Sequence, residues 1–327
     1  LDKARGKRWV EAQRVDQGYN KRHGRSHRRS HGIGKSTLAL AVARRLGGVV
    51  INADAMQVYA DLRVLTARPS PTDEAVIPHA LYGTVDAAIS YSVAAWLSDA
   101  QDAIEAAHAA GRRPVLVGGT GLYLTALTEG LSQVPPIPPA VRTKWRTRQG
   151  KQSSEMLHAE LAARDALMAG RLRPSDAQRI VRALEVIEGT GRSLAHWQAD
   201  RVPGPLAGAA LTRILITPER SRLRQTIAER FAVMVARGAV EEAATLIARG
   251  LEPALPAMKA IGLRQLGEFA AGRLSLPHAM EAAITLTRQY AKRQETWFRH
   301  RFADWPRVSN AADGLDLIDR DAAQLRR

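Results

Sequence analysis

Gly34-Lys35-Ser36-Thr37 restricts the fold more than any other feature of the chain. It is the second half of the phosphate-loop pattern G-x-x-x-x-G-K-[ST], which needs a buried strand before it and a helix after it. There, backbone N–H groups at the helix start hold a phosphate, the lysine neutralises charge, and the hydroxyl reaches Mg2+. The helix is expected over Leu38–Leu46, closed by Gly47-Gly48. The first half of the pattern is missing, because Arg29 stands where the first glycine belongs. Alone, Gly-Lys-Ser-Thr recurs by chance; its surroundings give it weight.

Val49 to Asp54 is a short apolar run ending in an acid, the pattern of a buried strand. Open α/β sheets place their ligand crevice at the carboxyl ends of strands. Asp54 is therefore a candidate general base or Mg2+ ligand, or a helix cap. Ser92 to Ala110 is Ala-rich and helical, with Gly111 closing it. Pro114 to Gly121 reads as a second strand running into a glycine turn, followed by a helix from about Leu122. That turn points Thr120 into the same crevice, or is simply tight. Helices alternating with short apolar strands predict an α/β fold with a parallel sheet.

Pro135 to Pro139 marks a break, and the polar segment after it, to about Gly191, carries no strand signal. It reads as a helical insertion. A strand is expected to return at Thr212–Thr217. Arg220 to Arg237 then places Leu223, Ile227, Phe231 and Met234 on one helical face. Pro277 opens a long helix through Arg299. The expected organisation is a basic tail over 1–31, a core over 32–130 and 196–327, and an insertion over 131–195.

Composition narrows the function. Lys+Arg exceed Asp+Glu by 48 to 32, a net +16, which favours a polyanionic partner. Residues 1–31 hold ten basic and three acidic residues, so the tail carries much of that excess. The absence of cysteine excludes disulfides, thiolate catalysis and cysteine-held metals. No run of about 18 apolar residues is present, so no membrane-spanning helix is expected. His79, His108, His158, His196 and His278 lack metal-ligand spacing.

The tail has no periodicity, and a nucleic-acid arm or a targeting peptide would each fit it. A third reading explains more. Ser26 to Ile33 can be encoded so that a one-base shift reads Arg-Ile-Ala-Gly-Pro-Thr-Ala and the start of a Ser codon. That is a strand end and the missing half of the phosphate loop, so the tail is expected to be an out-of-frame, non-native translation.

Two basic clusters remain. Arg179 and Arg182, beside Gln178, share one face of a helix over Asp176–Glu188 that Asp176 would cap. Lys292, Arg293, Arg299 and Arg301 interleave with Trp297 and Phe298, a composition that suits base stacking with phosphate contact, or a core face.

Taken in order, six segments resemble the bacterial tRNA dimethylallyltransferases, the tRNA A37 isopentenyl transferases. They are Gly34 to Thr37, Asn52 to Tyr59, Pro114 to Leu127, Arg171 to Val186, Leu255 to Leu266, and Lys292 to Arg299. The resemblance covers about residues 32–310. It implies a P-loop NTPase-like core with a helical insertion that grips the tRNA anticodon stem-loop. Such enzymes bind dimethylallyl diphosphate with Mg2+, prenylate N6 of adenosine 37, and release diphosphate, with the base extruded from its loop. By resemblance, Asp54 is the general base and Thr120 sits at the reaction centre. Gly32, Gly34, Lys35, Ser36, Thr37 and Arg220 hold diphosphate, with Ser36 also on Mg2+. Asp54, Ala55, Met56, Gln57, Arg142, Gln178, Arg179, Ile180, Val181, Arg182, Lys259, Arg264, Lys292, Arg293, Gln294, Trp297 and Arg299 match RNA-contact positions.

The chain departs from the family pattern at the first half of the phosphate loop and at His79-Ala80, where two histidines are usual. Ala55 replaces a common serine, and Leu65-Thr66-Ala67-Arg68-Pro69 replaces a Gly-Thr-Ala-Lys-Pro-type stretch. A cytoplasmic monomer without membrane contact is the expectation. Three other readings are a small-molecule P-loop kinase, a prenyltransferase acting on free AMP, and a catalytically impaired tRNA-binding protein.

Overall fold

The computed structural model describes residues 34–324. The expected out-of-frame tail, Arg29 and Gly32 lie outside the described residues. The described chain forms two compact units, one built from residues 34–91, 102–120 and 211–324, the other from Ser92–Gln101 and Gly121–Ala210.

The first unit is organised by a three-stranded parallel sheet. Helix α1 (Lys35–Leu46) precedes β1 (Gly48–Asn52), the central strand, flanked by β2 (His79–Ala80) and β3 (Arg113–Val117). Register pairs Val50 with His79 on one side and Ile51 with Leu116 on the other. Strands covered on both faces read as continuous apolar runs, which is why Val49–Ile51 and Val115–Val117 were legible. One face of β1 is covered by α1, whose Ala39 and Ala43 pack with Val50 and Ile77 against Val115 and Val117. Gly47 ends α1 in a left-handed conformation at φ 62°, with its N–H donating to the Ala43 carbonyl. Because the three strands are parallel, their carboxyl ends lie along one edge. The residues that follow, Asp54 after β1 and Thr120 after β3, share that edge.

The rest of this unit is mostly helical. Helices Arg220–Ala236, Ala239–Ala248, Leu263–Ala270 and Leu276–Arg301 follow one another. On the first of these, Ile227, Phe231 and Met234 are buried as the apolar face predicts, while Leu223 stays half-buried. The expected strand at Thr212–Thr217 contracts to Leu215–Ile216, which pairs in parallel with Arg307–Val308. Helix Ala311–Gln324, without a sequence signal, lies against α1, and a Cβ on Gly314 would sit 2.7 Å from Leu38.

The second unit is helical apart from an antiparallel pair, Leu131–Ser132 with Arg201–Val202. Its bounds are wider than the 131–195 expected from composition. Trp145, Leu157, Leu161, Ile180, Val181 and Leu184 form its core, all nearly or wholly buried. Asp176 caps helix Ala177–Thr190 by accepting from Arg179 N at 3.3 Å, as the sequence predicts. Trp96 and Tyr123 stack at 4.0 Å within the same unit. No helix among the described residues is long and apolar enough to cross a membrane.

Candidate active site

The carboxyl edge of the sheet is stitched together by main chain. Ala53 N donates to Val117 O at 2.8 Å, and Thr120 N donates to Ala53 O at 3.2 Å. The approach is so close that a Cβ on Gly118 would lie 1.9 Å from the Ala53 carbonyl oxygen, so only glycine fits. Asn52, fully buried, donates through Nδ2 to the Asp54 and Leu81 carbonyls at 3.0 Å and accepts from Asp54 N at 2.8 Å. It locks the ends of β1 and β2 to each other, and Leu81 accepts a φ of 64° there. Non-glycine residues in that region are uncommon and gather where surrounding structure over-determines them.

Within this frame the side chains are aimed. Asp54 Oδ1 accepts from Met56 N at 3.0 Å, leaving Oδ2 to face the 118–120 turn. Thr120 Oγ1 accepts from Ala55 N at 2.8 Å. Its hydroxyl proton is given to no described residue. The position a Cβ would take on Gly119 lies 2.5 Å from Gln294 Nε2, 3.2 Å from Lys35 Nζ and 3.4 Å from Asp54 Oδ2. An amide, an ammonium and a carboxylate thus converge on one glycine.

Gly34, at φ 86°, starts α1 without a side-chain cap, and the first turn carries no acid. The amides of Lys35, Ser36 and Thr37 lack intrahelical acceptors, the geometry that receives anions. Burial lowers the Lys35 ammonium below the usual lysine range; Asp54 opposes that effect and Arg230 adds to it. Arg230 is likewise desolvated, with Asp54 partly offsetting the cost. Neither cation forms an ion pair with a described residue. Around Asp54, burial pushes the Tyr82 phenol well up, helped by the charges of Asp54 and Glu74. Tyr290 is raised by burial and by Asp54. Both phenols remain protonated at neutral pH.

The loop after Asp54 is held from outside. Gln57 Nε2 donates to the Thr66 and Ala67 carbonyls at 2.8 and 3.3 Å. Glu242 accepts from three successive backbone amides, Arg63 and Val64 on Oε2 and Leu65 on Oε1, at 2.7–2.8 Å. Arg68 donates to the Tyr59, Ala60 and Tyr82 carbonyls.

The remaining expected residues divide. Asp54, Lys35, Thr120 and Gln294 come together, and Ser36 and Thr37 sit exposed at the start of α1. Arg220 is exposed and pairs with Glu295 at 3.2 Å, lining a cavity of about 420 Å³ with Arg224, Arg288 and Lys292. Lys259, Arg264, Lys292, Arg293 and Arg299 are exposed. Trp297 is half-buried, edge-on to Phe298 and Phe302. In the helical unit, Arg142, Gln178 and Arg179 are exposed and Arg182 is half-buried beside Glu185. Ile180 and Val181 belong to its core, so their side chains hold the helix and do not reach solvent.

Sequence reasoning missed Arg230, Tyr82, Asn52 and Glu242. Arg230 left a signal: it lies three residues after Ile227 and four before Met234, a charge in the apolar register of its own helix. Tyr82 and Glu242 left none, since their role depends on backbone contacts distant in sequence.

This is the architecture of the P-loop NTPase-like α/β class, with a phosphate-receiving helix start facing a carboxylate across strand ends. A family model described as IPP transferase matches residues 57–301. The chain belongs to that family, that of the tRNA dimethylallyltransferases. It is 50% identical over 273 residues to the tRNA dimethylallyltransferase of Chelativorans sp., covering 83% of this chain and 94% of the relative. To that of Rhodospirillum rubrum it is 53% identical over 266 residues, covering 81% and 82%. The crystal structure of a tRNA isopentenylpyrophosphate transferase from Bacillus halodurans superposes with a TM-score of 0.61 at 30% identity, covering 90% of this chain and 93% of that one. A eukaryotic dimethylallyltransferase acting on tRNA gives 0.68 at 26% identity, covering 82% and 67%.

Proposed function

We propose that this tRNA dimethylallyltransferase moves the dimethylallyl group from dimethylallyl diphosphate to N6 of adenosine 37 in the tRNA anticodon loop. The observation that carries this reading is the convergence of Asp54 Oδ2 and Lys35 Nζ on the turn that presents Thr120. The α1 amides that lack intrahelical acceptors and the Lys35 ammonium receive the diphosphate. Two desolvated cations, Lys35 and Arg230, stand against one carboxylate. The local excess of positive charge suits an anionic leaving group.

The Ser36 hydroxyl and diphosphate oxygens would hold Mg2+. Mg2+ characteristically takes few protein ligands beside substrate phosphates and water, and no group of three or more His, Asp or Glu gathers among the described residues. When bound, the ion supplies further neutralisation of the leaving group.

In the transfer, N6 of adenine forms a bond to the allylic carbon as the carbon–oxygen bond to diphosphate breaks. The oxygen keeps the bonding pair, and the N6 proton passes to Asp54 Oδ2. Thr120, oriented by Ala55 N, donates its free hydroxyl proton as a hydrogen bond to the departing oxygen. Exposed Arg142, Gln178, Arg179, Lys259, Arg264, Lys292, Arg293 and Arg299 suit phosphate contacts along the RNA.

The test is incubation with dimethylallyl diphosphate, Mg2+ and an anticodon stem-loop bearing adenosine 37. A prenylated adenosine with one equivalent of released diphosphate is expected. ATP hydrolysis without prenylation, transfer to free AMP only, or RNA binding with no diphosphate release would each overturn the reading.

A further inference from the structure

The run Lys292–Arg299 is not uniform. Lys292, Arg293 and Arg299 are exposed, whereas Gln294 is half-buried and turned toward the sheet edge. We infer that Gln294 is a positioning residue of the reaction centre, not an RNA contact, and that it clamps the peptide bond between Gly119 and Thr120. The inference rests on the proposed placement of Thr120 at that centre.

The Gly119 carbonyl and the Thr120 N–H belong to one planar unit and rotate together. At the N–H end, Thr120 donates to Ala53 O at 3.2 Å, a long hydrogen bond. At the carbonyl end, Gln294 Nε2 donates to Gly119 O at 2.7 Å. A peptide held at one end swings about its neighbouring dihedrals; held at both, it is fixed. That orientation carries forward, because Thr120 Oγ1 must stay in line with Ala55 N. Tyr290 lies one helical turn earlier on the same face of that helix. Gly119 completes the arrangement: a methyl group there would meet the Gln294 amide at 2.5 Å. Its bare backbone lets the amide reach the carbonyl beside Lys35 Nζ and Asp54 Oδ2, which lie 3.2 and 3.4 Å from that same position.

The experiment uses Gln294→Met, which keeps the volume and removes the donor, alongside Gln294→Ala. Single-turnover transfer with both substrates saturating is expected to fall about 10²-fold, the effect of a misplacement near the chemistry. The dissociation constant for tRNA should stay within about twofold, the split that separates positioning from binding. Adding Gln294→Met to Thr120→Ala should cost little more than Thr120→Ala alone, since both act through one group. An unchanged rate with a raised KM for tRNA would overturn the inference and make Gln294 an RNA contact. Amide hydrogen exchange at Thr120 gives a readout independent of turnover. In Gln294→Met it should speed up about tenfold, with distant amides unchanged. Unchanged exchange at Thr120 sinks the clamp whatever the activity. Faster exchange in a chain that shows no transfer at all would uphold the clamp and refute the proposed function.

Discussion

The sheet edge and the helical unit treat charge in opposite ways. At the edge, burial desolvates Lys35 and Arg230, which feel the charge of Asp54 without an ion pair to any described residue. In the helical unit several cations are matched by carboxylates. Lys144 pairs with Glu188 at 2.9 Å, Arg164 with Glu160 at 3.0 Å, and Arg146 with Glu185 at 3.6 Å. The Arg148 pair with Glu160 holds that carboxylate below its ordinary range. Lys144, Arg148 and Arg164 also surround the ring of buried Trp145 at 4.7–5.4 Å. Paired, stacked cations secure helices. Desolvated cations without an ion pair among the described residues are costly to the fold and suit an anionic ligand. The difference separates a scaffold from a site more sharply than the net charge does.

Substitutions can break that contrast. The largest effect is expected from Asp54→Ala, which should lower single-turnover transfer about 10²–10⁴-fold, the range for a lost general base, with tRNA affinity nearly intact. Equal loss of both would remove its proposed role as base. Thr120→Ala should slow the same step about 10²-fold, as loss of one aimed donor does; an unchanged rate would take Thr120 away from the leaving oxygen. Trp145→Ala belongs to the other region, and denaturation should show about 3–5 kcal/mol lost with the cavity it leaves. Arg179→Ala is milder. It should weaken tRNA binding and reduce the salt slope by about one charge, while a slope identical to wild type would place Arg179 off the RNA.

Titration sharpens the comparison from both sides. The lowered Lys35 ammonium is charged below its folded pKa and loses its proton as pH rises through it. Calorimetry with inorganic diphosphate should therefore show affinity falling on the alkaline side, and Lys35→Arg should flatten that fall. The depressed Glu160 carboxylate contributes stability above its unfolded pKa that is lost as pH falls through its folded value. Acid should loosen the helical unit by this route, and Glu160→Gln should blunt the acid dependence.

Much of this was legible in the chain. The apolar runs ending at Asp54 and at the Gly118–Gly121 turn located both strand ends, because buried parallel strands carry their signal locally. The capping by Asp176 was legible for the same reason. β2, at two residues, is too short to show periodicity, and Leu215–Ile216 is set by pairing with Arg307–Val308 far along the chain. Gln294 shows the limit of motif reading. Lys292 and Arg293 before it are exposed, while its partner Gly119 lies 175 positions away in sequence. The basic run by itself carries no sign of that long-range contact.

The Glu242 grip on residues 63–65 spans 177–179 positions of sequence. During synthesis at roughly 5–20 residues per second, that leaves about 10–40 s between the emergence of the loop and of the carboxylate that fastens it. The Gln294 contact to Gly119 closes later still, across 175 positions. The strands that form the edge of the sheet thus emerge early, but the residues that fasten it arrive late. A ribosome stalled short of the codon for Glu242 would carry a folded strand end with an unfastened loop, open to proteases at Arg63.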